Sequence, residues 1–153
     1  MADVHSPATR SKNMRAIHNS NTSIERKLNE ILEQLGVFFR TQVQELEGRP
    51  DFVIDEYKAV IFTHGCFWHS HQCHLSKMPK TRTEFWINKI GKNILRDNLI
   101  IEQLLVKKWR VLLIWECALK GRLKLNDRDI SERIEEWLCA GGIYAEIDTL
   151  GIH

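Results

Sequence analysis

Apolar residues recur at helical spacing through Ile24, Leu28, Ile31, Leu32 and Leu35, which predicts an amphipathic helix over Ser23–Leu35. Asn21, Thr22 and Ser23 offer it N-caps, and Gly36 offers a stop. Val37–Gln44 alternates apolar and polar positions, the period of a half-buried strand. Two short apolar runs come next, Phe52–Ile54 and Ala59–Phe62. The polar turn Asp55–Lys58 joins them, so they predict a β-hairpin. Thr81–Glu84 carries a helix-start pattern, and Ile87, Ile90, Ile94, Ile101 and Leu105 continue it to about Lys108. Gly91 within that helix marks a kink or a close approach. Arg110–Trp115 is a continuous apolar run, as expected of a central buried strand. Asp127–Cys139 predicts a last helix on Ile130, Ile134, Trp137 and Leu138, closed by Gly141 and Gly142. Helix, hairpin, long helix, strand and helix in that order predict an α/β sandwich around a mixed sheet flanked by helices.

Residues 1–22 fall outside this patterning. They are polar, basic and rich in Ser, Thr and Asn, and predict a flexible arm ahead of a single domain over 23–153. A chain of 153 residues is large enough to bury a core without covalent staples. No run approaches 18 apolar residues and the N-terminus has no apolar leader segment, so a cytoplasmic protein with no membrane partner is expected. In that reducing setting four cysteines point to a metal or to buried thiols before disulfides. The net charge of +2 hides a segregation: residues 77–124 carry twelve Lys and Arg against four acids, and residues 125–153 carry two against seven. A basic middle and arm suit a polyanion gripped by one face, although solvated helix faces also produce such runs.

The chemistry concentrates between Gly48 and His74. Four of the seven histidines and two of the four cysteines fall between His64 and His74. Cys66, His71, Cys73 and Cys117 supply the Cys₃His set that a tetrahedral zinc ion takes, and His69 or His74 could stand in for His71. Buried thiols without a ligand would be the plain alternative, and Cys139 is assigned to it. Asp51 stands after Pro50 at the start of a core strand whose neighbour ends at Thr63 and His64. Its carboxylate and the Thr63 carbonyl could hold Mg²⁺, with His64 and His69 acting on the attacking water or the leaving group. Glu25, at the edge of the first helix's apolar stripe, is ordinarily there for the helix dipole. Phe67 and Trp68 sit in a Gly/His/Ser loop, and Trp86 comes after the basic stretch Lys77–Arg82. Aromatics beside cations suit stacking on bases, whereas Trp109, Trp115 and Trp137 fit core positions, as Trp86 could too.

The segments GRPDFVIDEY, VIFTHGCFWH, TRTEFWINKIGKN, RVLLIWECAL and the N-terminal TRSKNMRAI closely resemble the very-short-patch repair (Vsr) DNA mismatch endonucleases of bacteria. The resemblance runs over nearly the whole chain. It implies a restriction-endonuclease-like fold of the PD-(D/E)XK type, in which Asp51 matches the motif's acid and Thr63-x-Gly65 replaces its usual acid and lysine. It further implies that Asp51 and the Thr63 carbonyl bind Mg²⁺. His64 and His69 would be the catalytic histidines, with Glu25 in support. Cys66, His71, Cys73 and Cys117 would hold a structural Zn²⁺. Phe67, Trp68 and Trp86 resemble an aromatic wedge beside the mismatch, with Met14 on the minor-groove side, and Lys89 and Asn93 resemble mismatch contacts. The implied reaction is a nick on the 5′ side of the thymine in a T·G mismatch left by 5-methylcytosine deamination. The enzyme would act as a monomer on double-stranded DNA, with other mismatch-repair proteins as further partners. Two other readings stand beside it: a sequence-specific restriction-type nuclease on the same fold, and a non-catalytic zinc-containing DNA-binding module.

Overall fold

The computed structural model describes residues 23–67, 71, 73 and 78–153. Helix α1 runs over Ser23–Leu35, with Leu28, Ile31 and Leu32 buried, and Gly36 ends it at a φ of +77°. Both ends match the capping signals, because a left-handed residue there favours glycine. The arm and its Met14 lie outside the described residues.

The strand expected over Val37–Gln44 is only Arg40–Thr41 (β1). Val37 and Phe39 do turn inward, and Phe38 is 89% exposed, so the alternation is genuine. Gln42, at a φ of +50°, breaks the extended backbone and ends the ladder. The hairpin forms as predicted, from β2 (Phe52–Ile54) through a 3₁₀ turn at Asp55–Tyr57 and a left-handed Lys58 into β3 (Ala59–His64). β3 continues two residues past the apolar run, because it pairs in parallel with β4 (Arg110–Trp115) as far as His64 opposite Trp115.

Helix α2 spans Thr83–Val106, two residues shorter at each end than the pattern suggested. Gly91 serves no close approach, since a side chain there would meet open space. A one-turn helix α3 (Glu116–Leu119) comes directly after β4, so Cys117 stands on a helical turn rather than at the strand end itself. Helix α4 covers Asp127–Ala140, capped by the Asn126 side chain, which accepts the Asp129 amide at 2.7 Å. The strands β5 (Tyr144–Asp148) and β6 (Gly151–Ile152) were not foreseen. They complete a sheet ordered β1-β2-β3-β4-β5-β6, parallel across β3, β4 and β5 and antiparallel elsewhere.

The sheet is covered on both sides. Leu112 and Ile114 of β4 meet α1 and α4 through Leu28, Leu32, Ile130 and Ile134. Val111, Leu113 and Trp115 face the other way, toward Leu104, Ile100 and Ile101 of α2. Helices on both faces are what the parallel centre of the sheet needs, since β3 and β4 are buried on both sides.

Ile114 is fully buried at the centre of the first layer. Ile114→Ala should lower unfolding free energy by about 2–5 kcal/mol in urea titration with the slope unchanged. A loss below about 1 kcal/mol would mean that this layer is not the core.

Candidate active site and metal centre

Parallel pairing brings the ends of β3 and β4 together, and the chemistry sits there. Asp51 opens β2 beside them. Its Oδ2 accepts the Thr63 amide at 2.7 Å and the Thr63 hydroxyl at 3.1 Å. Its Oδ1 accepts the Gln42 side-chain amide at 3.2 Å, and the same amide reaches Glu25 Oε2 at 3.1 Å. Glu25, at the edge of the α1 stripe, is thus turned toward Asp51, and the two carboxyls interact directly.

Burial lifts both carboxyls. Glu25 is pushed up to about 7, first by burial and then by the negative charge of Asp51, with Arg49 and Gln42 opposing the rise. Asp51 is raised by burial, and the two Thr63 hydrogen bonds hold it back. The hydrogen bond between them favours the neutral form of Glu25 and the charged form of Asp51, so Glu25 is the partner that keeps a proton.

A cavity of about 350 Å³ opens onto this group, lined by Gln42, Arg49, Asp51, Thr63, His64 and Arg96 among others. His64 is 7% exposed and its ring lies nearly perpendicular to that of Trp115 at 5.4 Å between ring centres. Asp51, Thr63 and His64 are therefore brought together as expected, and Glu25 joins them through Gln42. His69 lies outside the described residues.

Next to the cavity, Cys66, His71, Cys73 and Cys117 converge, with their ligating atoms all within 4.8 Å of one another. His71 Nδ1 is 3.6 Å from both Cys66 Sγ and Cys117 Sγ. A tetrahedral ion with S and N bonds of about 2.3 and 2.05 Å would set those atoms about 3.6 Å apart. This cluster could hold a metal. His71, left open against His69 and His74 by the sequence, is the imidazole seen among the thiols; the other two lie outside the described residues. Burial pushes the Cys66 thiol up strongly and the Cys117 thiol to about 11. The other ring nitrogen faces a carboxylate, with His71 Nε2 3.5 Å from Asp148 Oδ2. Its ring stacks on Trp115 at 4.4 Å. Cys139, expected to be a buried thiol, is exposed on α4.

Of the proposed base-contacting aromatics, Phe67 meets Trp86 at 5.5 Å, and Trp68 lies outside the described residues. Phe85, which no sequence signal singled out, packs on Trp86 at 5.1 Å. The Arg82 guanidinium covers Phe85 at 4.3 Å, and Lys89 Nζ stands 5.9 Å from the same ring. Asn93 accepts Arg96 at 3.0 Å one turn further along α2. Gln42, Arg49 and Asp148 were also missed. Their proximity to the site comes from pairing of distant segments, and no local pattern announces it.

A family model described as DNA mismatch endonuclease Vsr matches residues 2–75. The chain is 60% identical over all 153 residues to the DNA mismatch endonuclease Vsr of Escherichia coli (strain K12), of which the match covers 98%. It is 36% identical over 132 residues to the type II nicking enzyme V.XorIIP of Xanthomonas oryzae pv. oryzae, covering 85% of this chain and 97% of that one. The type II nicking enzyme V.NmeAIP of Neisseria meningitidis serogroup A is 36% identical over 128 residues, or 84% of this chain and 91% of that one.

Glu25 yields a pH dependence with a defined sign. Its carboxyl is raised from an ordinary 4.5 to about 7, so the stability tied to its proton is complete below the lower value and lost as pH climbs through the higher one. In magnesium-free buffer the melting temperature should fall from about pH 5 to about pH 8 more steeply than in Glu25→Gln. Parallel curves for the two proteins would contradict the assignment.

Proposed function

The chain belongs to the DNA mismatch endonuclease Vsr family, and from that we propose that it nicks one DNA strand on the 5′ side of the thymine in a T·G mismatch, starting very short patch repair. The observation that carries this reading is the meeting of Asp51, Thr63 and His64 at one cavity in a chain 60% identical to a mismatch endonuclease. The six-stranded mixed sheet with an acid at the start of β2 supports a restriction-endonuclease-like fold.

Two metal roles divide between two donor sets. Oxygen donors suit a hard cation, and the Asp51 carboxylate with the Thr63 carbonyl would hold Mg²⁺. Bound there, Mg²⁺ would supply positive charge against the developing phosphorane and lower the pKa of the attacking water. The protein's own part is to hold Asp51 charged through Thr63, to orient or deprotonate water at His64 and His69, and to keep Glu25 in support behind them. The thiol and imidazole set suits Zn²⁺ in a structural role, stiffening the segment that runs from His64 through Phe67.

Recognition rests on the cost of opening a base pair. Unstacking a step costs a few kcal/mol and least at a mismatch, so a wedge of Phe67, Trp68 and Trp86 from one side and Met14 from the other discriminates before chemistry starts. Lys89 and Asn93 would contact the mismatch, and the basic arm and α2 would supply phosphate contacts. Single-strand cutting by a monomer in the bacterial cytoplasm completes the proposal. Among the described residues no helix is long and apolar enough to cross a membrane.

A nicking assay on paired T·G and C·G duplexes with Mg²⁺ is decisive. Cutting of one strand of the T·G duplex, at least 100-fold faster than of its matched counterpart, is expected, with Asp51→Ala reducing it to background. Double-strand cutting of the matched duplex would favour the restriction-type reading instead, and absence of nicking would favour the non-catalytic module. Cys117→Ala should lower bound zinc per chain and the melting temperature together, since structural metal contributes directly to folding. Full stability with no zinc bound would remove the structural role.

A further inference from the structure

The Asp51 cavity has a cationic wall that the proposed reaction leaves unused. Arg49 and Asp51 flank the buried Pro50, and both line the cavity. The Arg49 backbone is left-handed, at a φ of +51°, a conformation that a non-glycine residue keeps only when its surroundings demand it. Here they do. Gly48, at +75°, lies so close to α2 that a Cβ there would collide with Ile100, and Phe62 crowds it from the sheet. The Arg49 amide donates to the Leu46 carbonyl at 3.1 Å, and the Pro50 carbonyl accepts the Val43 amide at 3.2 Å. The loop is thus clamped on both sides of Arg49.

The guanidinium it presents is exposed and takes part in no ion pair among the described residues. Arg96, the other arginine on the cavity wall, is already engaged by Asn93. The charge of Arg49 is felt by Glu25, the carboxyl that keeps a proton, so the clamped loop presents a cation at the cavity that a second anion can complete. The guanidinium fork matches two oxygens of a phosphate, and its charge does not depend on pH.

We propose that Arg49, on the wall of the cavity that Asp51 and Thr63 also line, binds the non-bridging oxygens of the phosphodiester to be cut and stabilises the charge they gain as water attacks phosphorus. No atom is transferred to Arg49: the P–O bond to water forms, the bond to the leaving oxygen breaks, and the guanidinium contributes only N–H donors. The assignment rests on the endonuclease reading of the same cavity.

The test uses full-length protein and a T·G duplex with Mg²⁺. Single-turnover nicking at saturating enzyme should fall about 10²–10³-fold in Arg49→Met, while the dissociation constant for the duplex, measured without Mg²⁺, rises less than about tenfold. Arg49→Lys should recover part of the rate, having the charge without the fork. Arg128→Met, which removes one exposed charge on α4 in the acidic segment outside the basic middle, should nick at the wild-type rate. A binding cycle separates contact from structure. Replacing the phosphate at the cut by a neutral methylphosphonate should weaken binding by wild type and leave Arg49→Met nearly unaffected. Nicking by Arg49→Met within threefold of wild type, or an equal loss by both proteins on the methylphosphonate duplex, would overturn the proposal. If the wild type itself fails to nick the T·G duplex, the endonuclease reading falls, and this assignment with it.

Discussion

Everything chemical in this molecule depends on the register between β3 and β4. Ala59 stands opposite Arg110 and, five residues on, His64 stands opposite Trp115, in a parallel pair buried on both faces. Both strands end at the same level, so the segment leaving β3 meets the helical turn that leaves β4. Cys66 is thereby brought to Cys117, and His64 to Trp115. A slip of one residue would exchange the two faces of β4 and turn Leu112 and Ile114 away from α1 and α4. The packing of β4 between its two helix layers therefore holds both donor sets in place.

Those two sets differ in kind although only a few residues separate them. Oxygen donors gather at Asp51 and Thr63; sulfur and nitrogen gather at Cys66, His71, Cys73 and Cys117. Softness of ligand selects the cation, so the two sets favour different classes of ion. Trp115 stands between the two groups. Its ring stacks on His71 at 4.4 Å, lies nearly perpendicular to the His64 ring at 5.4 Å, and its Nε1 donates to Glu146 at 2.7 Å. An indole fixed at all three points keeps the two imidazoles apart and sets the orientation of both.

The sequence was legible where a signal was local. Ser23–Leu35 and Arg110–Trp115 were predicted to the residue, one by its caps and stripe, the other by an unbroken apolar run. The clustering of His and Cys pointed to the group that converges at Cys66, His71, Cys73 and Cys117, and Pro50-Asp51 before a core strand pointed to a carboxylate that lines the cavity. The failures came from weak local patterns and from contacts between distant segments. Tyr144–Asp148 has only Ala145 and Ile147 as apolar inward positions, too few to show a period of two, so β5 and its Asp148 went unseen. Gln42 bridges Glu25 and Asp51 through a left-handed backbone that a glutamine does not advertise. Glu25 itself looked like a dipole residue, because nothing near it in sequence showed the carboxylate that it would face.

Helix α2 shows why one amphipathic pattern can be hard to read. Only Ile90 and Leu104 are fully buried among its 24 residues, and Leu95 and Leu99 remain 71% and 55% exposed. Its C-terminal half rests on the sheet through Ile100, Ile101, Leu104 and Leu105. Its N-terminal half carries the aromatic and basic group of Phe85, Trp86 and Lys89. Trp86, Lys89, Asn93, Arg96 and Ile100 succeed one another at steps of three and four, so one face leads from the aromatics to the cavity. Ten residues at a rise of about 1.5 Å put Trp86 and Arg96 about 15 Å apart on a single rigid rod. A helix that served only the core would give its whole length to the sheet; this one gives half, and the other half holds the base-contacting candidates at a fixed distance from Asp51.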